Sequence, residues 1–280
     1  MPTDAAEARR AGGAGAPGGL RRGFPAGRAA LVTYLMAGYP DRERSLAALR
    51  AAAAAGADVV EIGVPFSDPL ADGPVIQQAA EEARRAAGGP FGLAETIALA
   101  AEFLGEEGCD GPPVALMTYL NPMLRLGLAE TARRAVAAGV SGFIVPDMPF
   151  DAAGMWLEAA EGLDTVLLAA PTSTPERLAR IGAESSGFVY CVSSLGVTGE
   201  RSELSEELAG YVRRVKAATD LPVAVGFGVG TPDQACAVAR VADGVVVGSA
   251  IVRLQEDAAA VAAFVGSLAE AVRGARQRCP

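Results

Sequence analysis

At 280 residues, 51% of them hydrophobic, and with a net charge of −9, the chain has the size and apolar content of one large domain. Its acidic balance disfavours nucleic acid and anionic membranes, whose phosphates need a basic face, and no run approaches the ~18 consecutive apolar residues of a membrane helix. The absence of histidine excludes Ser-His-Asp triads, Cys-His dyads and histidine-bound metals, which leaves acid–base chemistry to Asp, Glu, Tyr or Cys.

Residues 1–27 are rich in Gly, Ala, Arg and Pro without an apolar period, and read as a flexible arm ahead of a catalytic domain over 28–280. Arginines near the start precede no apolar core, so the segment does not read as a secretory signal. Short β-branched runs then recur at 30–36, 58–63, 113–117, 142–145, 165–169, 187–192, 222–225 and 244–247. Segments with helical apolar spacing lie between them, among them 42–55, 128–138 and 175–181. Between the second and third strands the spacing leaves room for a loop and an extra pair of helices, near 75–87 and 93–108. Eight strands alternating with helices predict a parallel sheet buried on both faces, and the count favours a closed (β/α)8 TIM barrel over an open doubly wound sheet.

Four cysteines, Cys109, Cys191, Cys236 and Cys279, are scattered without metal-ligand or disulfide-framework spacing, which fits a reducing cytoplasm. The sole lysine, Lys216, lies in a helical segment and not at a strand end, which argues against imine chemistry.

Carboxylates are therefore the first place to look. Glu61 falls inside the apolar second strand, where a lone carboxylate is costly unless neutral or partnered. The loop after it, Pro65-Phe66-Ser67-Asp68-Pro69-Leu70-Ala71-Asp72-Gly73-Pro74, adds two more acids among residues that fix its shape. A structural ion pair is the plain alternative, but three acids at one strand mouth in a histidine-free chain favour catalysis. After strand six, Ser193-Ser194-Leu195-Gly196-Val197-Thr198-Gly199-Glu200-Arg201 has the small residues of a closing lid, or of an inert loop. Gly226-Phe227-Gly228-Val229-Gly230 after strand seven and Gly248-Ser249 after strand eight stand where barrels hold phosphate. Simple tight turns would leave the same pattern.

Together these segments resemble the signatures of the tryptophan synthase alpha family. The acidic loop, Gly196-Val197-Thr198-Gly199, Tyr34-Leu35-Met36-Ala37-Gly38-Tyr39-Pro40, Met117-Thr118-Tyr119-Leu120-Asn121-Pro122 and Val145-Pro146-Asp147-Met148-Pro149 carry the resemblance, which runs from about residue 30 to 270. It implies retro-aldol cleavage of indole-3-glycerol phosphate to indole and glyceraldehyde 3-phosphate. It further implies Glu61 as the catalytic acid, Asp72 as partner of the indole N–H, and Tyr190 beside the reacting glycerol chain. Tyr34, Tyr119 and Leu168 would line the indole pocket, and Thr198 of the lid would contact Asp72. Gly199, Gly228, Gly248 and Ser249 would cradle the phosphate.

No metal or organic cofactor is implied in this chain. Pyridoxal phosphate is expected only in a partner beta subunit, in an alpha2-beta2 tetramer, with Asp68 and Pro69 at the interface. Two departures stand out: Ser194 replaces an arginine common in some members, and Met36 a threonine. Three rival functions share parts of this pattern: an autonomous lyase releasing free indole, a phosphosugar isomerase, and a catalytically silent activating subunit. Intact Glu61 and Asp72 argue against the last, and the acidic loop against the isomerase.

Overall fold

A computed structural model describes residues 19–85, 91–107, 111–148, 150–193, 206–226 and 228–275, with backbone only at 150–152. Parallel strands form a ring: β1 (Ala30–Met36), β2 (Val59–Gly63), β3 (Val114–Met117), β4 (Gly142–Ile144), β5 (Asp164–Val166), β6 (Leu168–Ala169), β7 (Val189–Val192), β8 (Val223–Gly226) and β9 (Gly244–Val247). β1 pairs with both β2 and β9, β4 with β5, and β6 with β7. β5 and β6 are halves of one strand position, the predicted run 165–169, interrupted at Leu167. Tyr190 N–H donates to the Leu167 carbonyl at 3.1 Å across the break, so eight strand positions close the barrel.

Alternation along the strands separates two apolar clusters. Val32, Tyr34, Met36, Ala115, Met117, Ile144, Val166, Phe188, Tyr190, Ala224 and Val246 point inward, whereas Leu31, Leu35, Val60, Ile62, Leu116 and Phe143 pack against the helices. On the outer side Trp156 meets Phe143 edge-on at 5.0 Å and donates its indole N–H to Thr165 Oγ1 at 3.1 Å. The extra helices after β2 form at Pro74–Arg85 and Leu93–Glu107. Asp41, Thr174, Thr231 and Asp257 cap the helices that follow them by accepting first-turn amides, which explains where those helices start.

The barrel floor revises one boundary. The predicted arm extended to residue 27, yet Leu20–Gly23 forms a 3-10 turn and Leu20 is fully buried in the inner cluster. Its amide donates to the buried Asp164 carboxylate at 2.7 Å, and Phe24 meets Phe188 at 5.1 Å. Glycines at the strand starts make the room: a Cβ on Gly142 would sit 2.8 Å from Leu20 Cδ1, and one on Gly244 2.8 Å from Phe24 Cε1. One buried leucine outweighs the low apolar density of a segment whose composition alone suggests disorder.

Two ionic contacts finish the frame. Arg28 binds Asp58 bidentately, with both contacts at 2.7 Å, while Asp58 also accepts the Leu31 amide at 2.8 Å. Lys216 pairs with Asp243 at 2.7 Å on its helix, a structural role away from the strand mouths.

Candidate active site at the strand mouths

On β2, Val60 and Ile62 face the helices, so Val59, Glu61 and Gly63 face the barrel interior. Glu61 is fully buried, in register with Tyr34 on β1 and Ala115 on β3. Neither of its carboxylate oxygens has a hydrogen-bond partner among the described residues. Burial, reinforced by the nearby charge of Asp72, pushes its pKa up to about 8. At neutral pH Glu61 is thus a carboxylic acid, because ionising it there would strand a charge without solvent or counterion.

Asp72 comes from the loop, and its placement depends on Tyr119. Asp72 N–H donates to the Pro69 carbonyl at 3.1 Å and Gln77 caps the Asp72 carbonyl at 2.8 Å, which makes a compact turn into the Pro74–Arg85 helix. Tyr119, at the end of β3, donates its hydroxyl to Asp72 Oδ2 at 3.0 Å and accepts the Ala71 amide at 3.0 Å. Phe66 stacks on the Tyr119 ring at 5.2 Å. Burial raises the Asp72 pKa to about 6, against the Tyr119 hydrogen bond that lowers it. The two acids are therefore split: one neutral, one ionised at pH 7. Such a pair can donate a proton and stabilise the cation that results.

Tyr34 and Tyr190 are buried rings whose hydroxyl pKa values are raised, chiefly by burial and further by Glu61 and Asp72. Each lies over a glycine of the neighbouring strand. A Cβ at Gly63 would collide with the Tyr34 hydroxyl, and one at Gly226 with that of Tyr190. The glycines of β2 and β8 thus let these aromatics lie flat inside the mouth.

Across the mouth from β2, Gly228 adopts φ +85° and is exposed, a conformation suited to glycine. The Gly230 amide is taken up by Gln234 Oε1 at 2.8 Å, within a capping pair with Thr231. By contrast, the amides of Ser249 and Ala250, opening the turn Ser249–Val252 after Gly248, have no acceptor among the described residues.

A cavity of about 320 Å³ joins these parts, lined by Glu61, Asp72, Tyr34 and Tyr190 together with Gly228, Gly248 and Ser249. Tyr119 and Leu168, expected in the pocket wall, do not line it: Tyr119 stands behind Asp72, and Leu168 packs against the inner cluster. Ile76, Met117, Val246 and Arg253 do line it and were not singled out from the sequence. Met117 and Val246 were available from strand alternation; Arg253 carried no signal beyond following Ser249 by one turn. Met36, one of the two departures, is a buried member of the inner cluster. Thr198, Gly199, Ser194 and Pro149 lie outside the described residues, as does the lid beyond Ser193. Asp68 is exposed, with Ser67 Oγ donating to it at 2.5 Å. No group of three or more metal-ligating side chains occurs among the described residues.

The family model for the tryptophan synthase alpha chain matches residues 24–276. The tryptophan synthase alpha chain of Streptomyces avermitilis is 46% identical over 257 residues, covering 89% of this chain and 91% of that one. That of Gluconacetobacter diazotrophicus is 49% identical, covering 82% and 83% respectively. Among solved structures, a chain of the aminoacrylate-bound tryptophan synthase from M. tuberculosis superposes with a TM-score of 0.78 at 42% identity, covering 88% of this chain and 94% of that one.

Proposed function

The chain belongs to the tryptophan synthase alpha chain family, a lyase family that cleaves indole-3-glycerol phosphate to indole and glyceraldehyde 3-phosphate, and from that premise we propose how its residues divide the work. The observation that carries the proposal is the buried, unpartnered Glu61 carboxyl sharing a cavity with a Tyr119-held Asp72.

Glu61, protonated at neutral pH, gives its proton to C3 of the indole ring, and the ring nitrogen takes up the positive charge. Asp72, ionised, accepts the indole N–H and stabilises that charge. Glu61, now a carboxylate, is the base available to take the proton of the C3′ hydroxyl. The C3–C3′ bond then breaks, its electron pair returns to the indole, and the carbonyl of the aldehyde product forms. Tyr190 borders the reacting glycerol chain and Tyr34 the indole pocket, and both rings line the cavity. The phosphate rests on the amides around Gly228, Gly248 and Ser249. No metal or organic cofactor takes part in this chain's chemistry.

The partner is a pyridoxal-phosphate beta subunit in an alpha2-beta2 tetramer, seated on the strand mouths. Exposed Asp68, half-buried Pro69 and Leu70, which is 92% exposed, form an apolar-edged knuckle within the same turn that positions Asp72. No described helix is long and apolar enough to cross a membrane, and the scattered cysteines support a cytoplasmic location.

Indole release from indole-3-glycerol phosphate, measured with and without the cognate beta chain, tests this reading. Turnover that rises on adding beta supports it. Full activity alone, with no association by ultracentrifugation, would identify an autonomous lyase.

A further inference from the structure

Among the described residues, the acidic and basic side chains that line the cavity are Glu61, Asp72 and Arg253. The first two are acids, so a dianionic substrate enters a cavity in which every other ionisable charge is negative or latent. Arg253 is the exception. It is exposed, and among the described residues it has no ion-pair partner, whereas Arg28, Arg42, Arg50 and Arg133 are all paired to carboxylates.

Its backbone is fixed by the turn that presents the free amides. Arg253 N–H donates to the Ser249 carbonyl at 3.2 Å, closing Ser249–Val252. Two residues on, the fully buried Gln255 locks that turn to the end of β1. Its side-chain amide donates to the carbonyls of Met36 at 2.6 Å and Tyr39 at 2.8 Å, and its oxygen accepts the Met36 amide at 2.9 Å. A cation on a flexible stem thus rises from a rigid base, one turn from Ser249, at the rim of the cavity.

We propose that Arg253 is a binding and specificity determinant for the phosphate end: its guanidinium attracts and holds the substrate's dianion over the Gly248–Ser249 amides. This rests on the reading that those amides and Gly228 form the phosphate cradle. Neutral amides supply directional hydrogen bonds but little long-range attraction, and a net charge of −9 opposes an approaching anion. Arg253 supplies the attraction, at an exposed position where it is weakened by salt. Arg253 is remote in function from proton transfer, so it governs capture and not the chemical step.

The test uses the full chain with glycerol 3-phosphate as probe. Arg253→Gln is expected to weaken glycerol 3-phosphate binding by roughly 5- to 10-fold at low salt, a gap that narrows as salt rises. It should raise KM for indole-3-glycerol phosphate similarly with kcat within about 2-fold of wild type, and Arg253→Lys should recover most of the loss. Binding of neutral indole should be unchanged. Wild-type affinity of Arg253→Gln for glycerol 3-phosphate would overturn the proposal, as would an equal loss of indole binding or a salt-independent effect. Gly228→Val separates the two levels. If it abolishes glycerol 3-phosphate binding while Arg253→Gln does nothing, the cradle stands and Arg253 falls; if neither variant matters, both fall.

Discussion

The Tyr119 hydroxyl donates to Asp72 Oδ2 at 3.0 Å while its own oxygen accepts the Ala71 amide at 3.0 Å, so one side chain on β3's end fixes both the loop backbone and the loop carboxylate. This hydrogen bond also opposes the burial that raises the Asp72 pKa. Tyr119→Phe should therefore let that pKa climb further above about 6 and move the acid limb of the kcat/KM–pH profile upward. An unmoved acid limb in a folded Tyr119→Phe protein would show that Asp72 is not the ionisation on that limb.

Glu61→Gln keeps shape and removes the proton, and is expected to lower kcat at least ~10³-fold. A tenth of wild-type activity retained in the folded variant would sink the assignment. Stability supplies an independent reading. Because the folded pKa, about 8, lies above the ordinary 4.5, folded Glu61 holds a proton that the unfolded chain has released between those values. Its contribution is complete below pH 4.5 and is lost as pH rises through about 8. The stability of Glu61→Gln relative to wild type should accordingly improve by roughly 2 kcal/mol or more between pH 5 and pH 8.5. Denaturant titrations at the two pH values measure it, and a constant difference would contradict a buried, protonated Glu61.

At the opposite end of the barrel, Leu20 fills the floor without touching the reacting groups. Leu20→Ala should cost about 2–5 kcal/mol, the range for emptying a tightly packed leucine site. KM for indole-3-glycerol phosphate should stay near wild type at a temperature where the variant is folded. A loss below 0.5 kcal/mol, on the scale of an exposed position, would place residues 19–24 outside the folded barrel.

The turn of Asp68–Asp72 joins the proposed docking knuckle to the proposed catalytic pair through the Asp72 amide and Pro69 carbonyl. Coupling requires that beta bind one arrangement of this turn more tightly than another. Asp68→Ala or Pro69→Ala should leave the isolated chain's basal rate near wild type but reduce the increase on adding the cognate beta chain. Titrations of turnover against beta concentration would show it, and an undiminished increase in both variants would remove this turn from the coupling.

The strand and helix order, and therefore the barrel, follow from short β-branched runs alternating with helical stretches, since burial on both faces imposes that pattern locally. Glu61 was legible for the same reason: a carboxylate in the middle of a buried run has no inexpensive explanation. Three things needed the folded chain. Leu20 belongs to a segment polar on average, and only the glycine-lined floor of the barrel gives one leucine a site. Tyr119 and Asp72 are 47 residues apart, and nothing in either neighbourhood announces that one holds the other; β2–β3 pairing brings them together. Arg253 reads as one arginine among many until the Ser249–Val252 turn sets it at the cavity rim. Chemical type is encoded residue by residue and survives in the sequence, whereas the split pKa values of Glu61 and Asp72 arise from desolvation, from the charge of Asp72 near Glu61 and from the Tyr119 hydrogen bond to Asp72, which exist only once distant segments have packed.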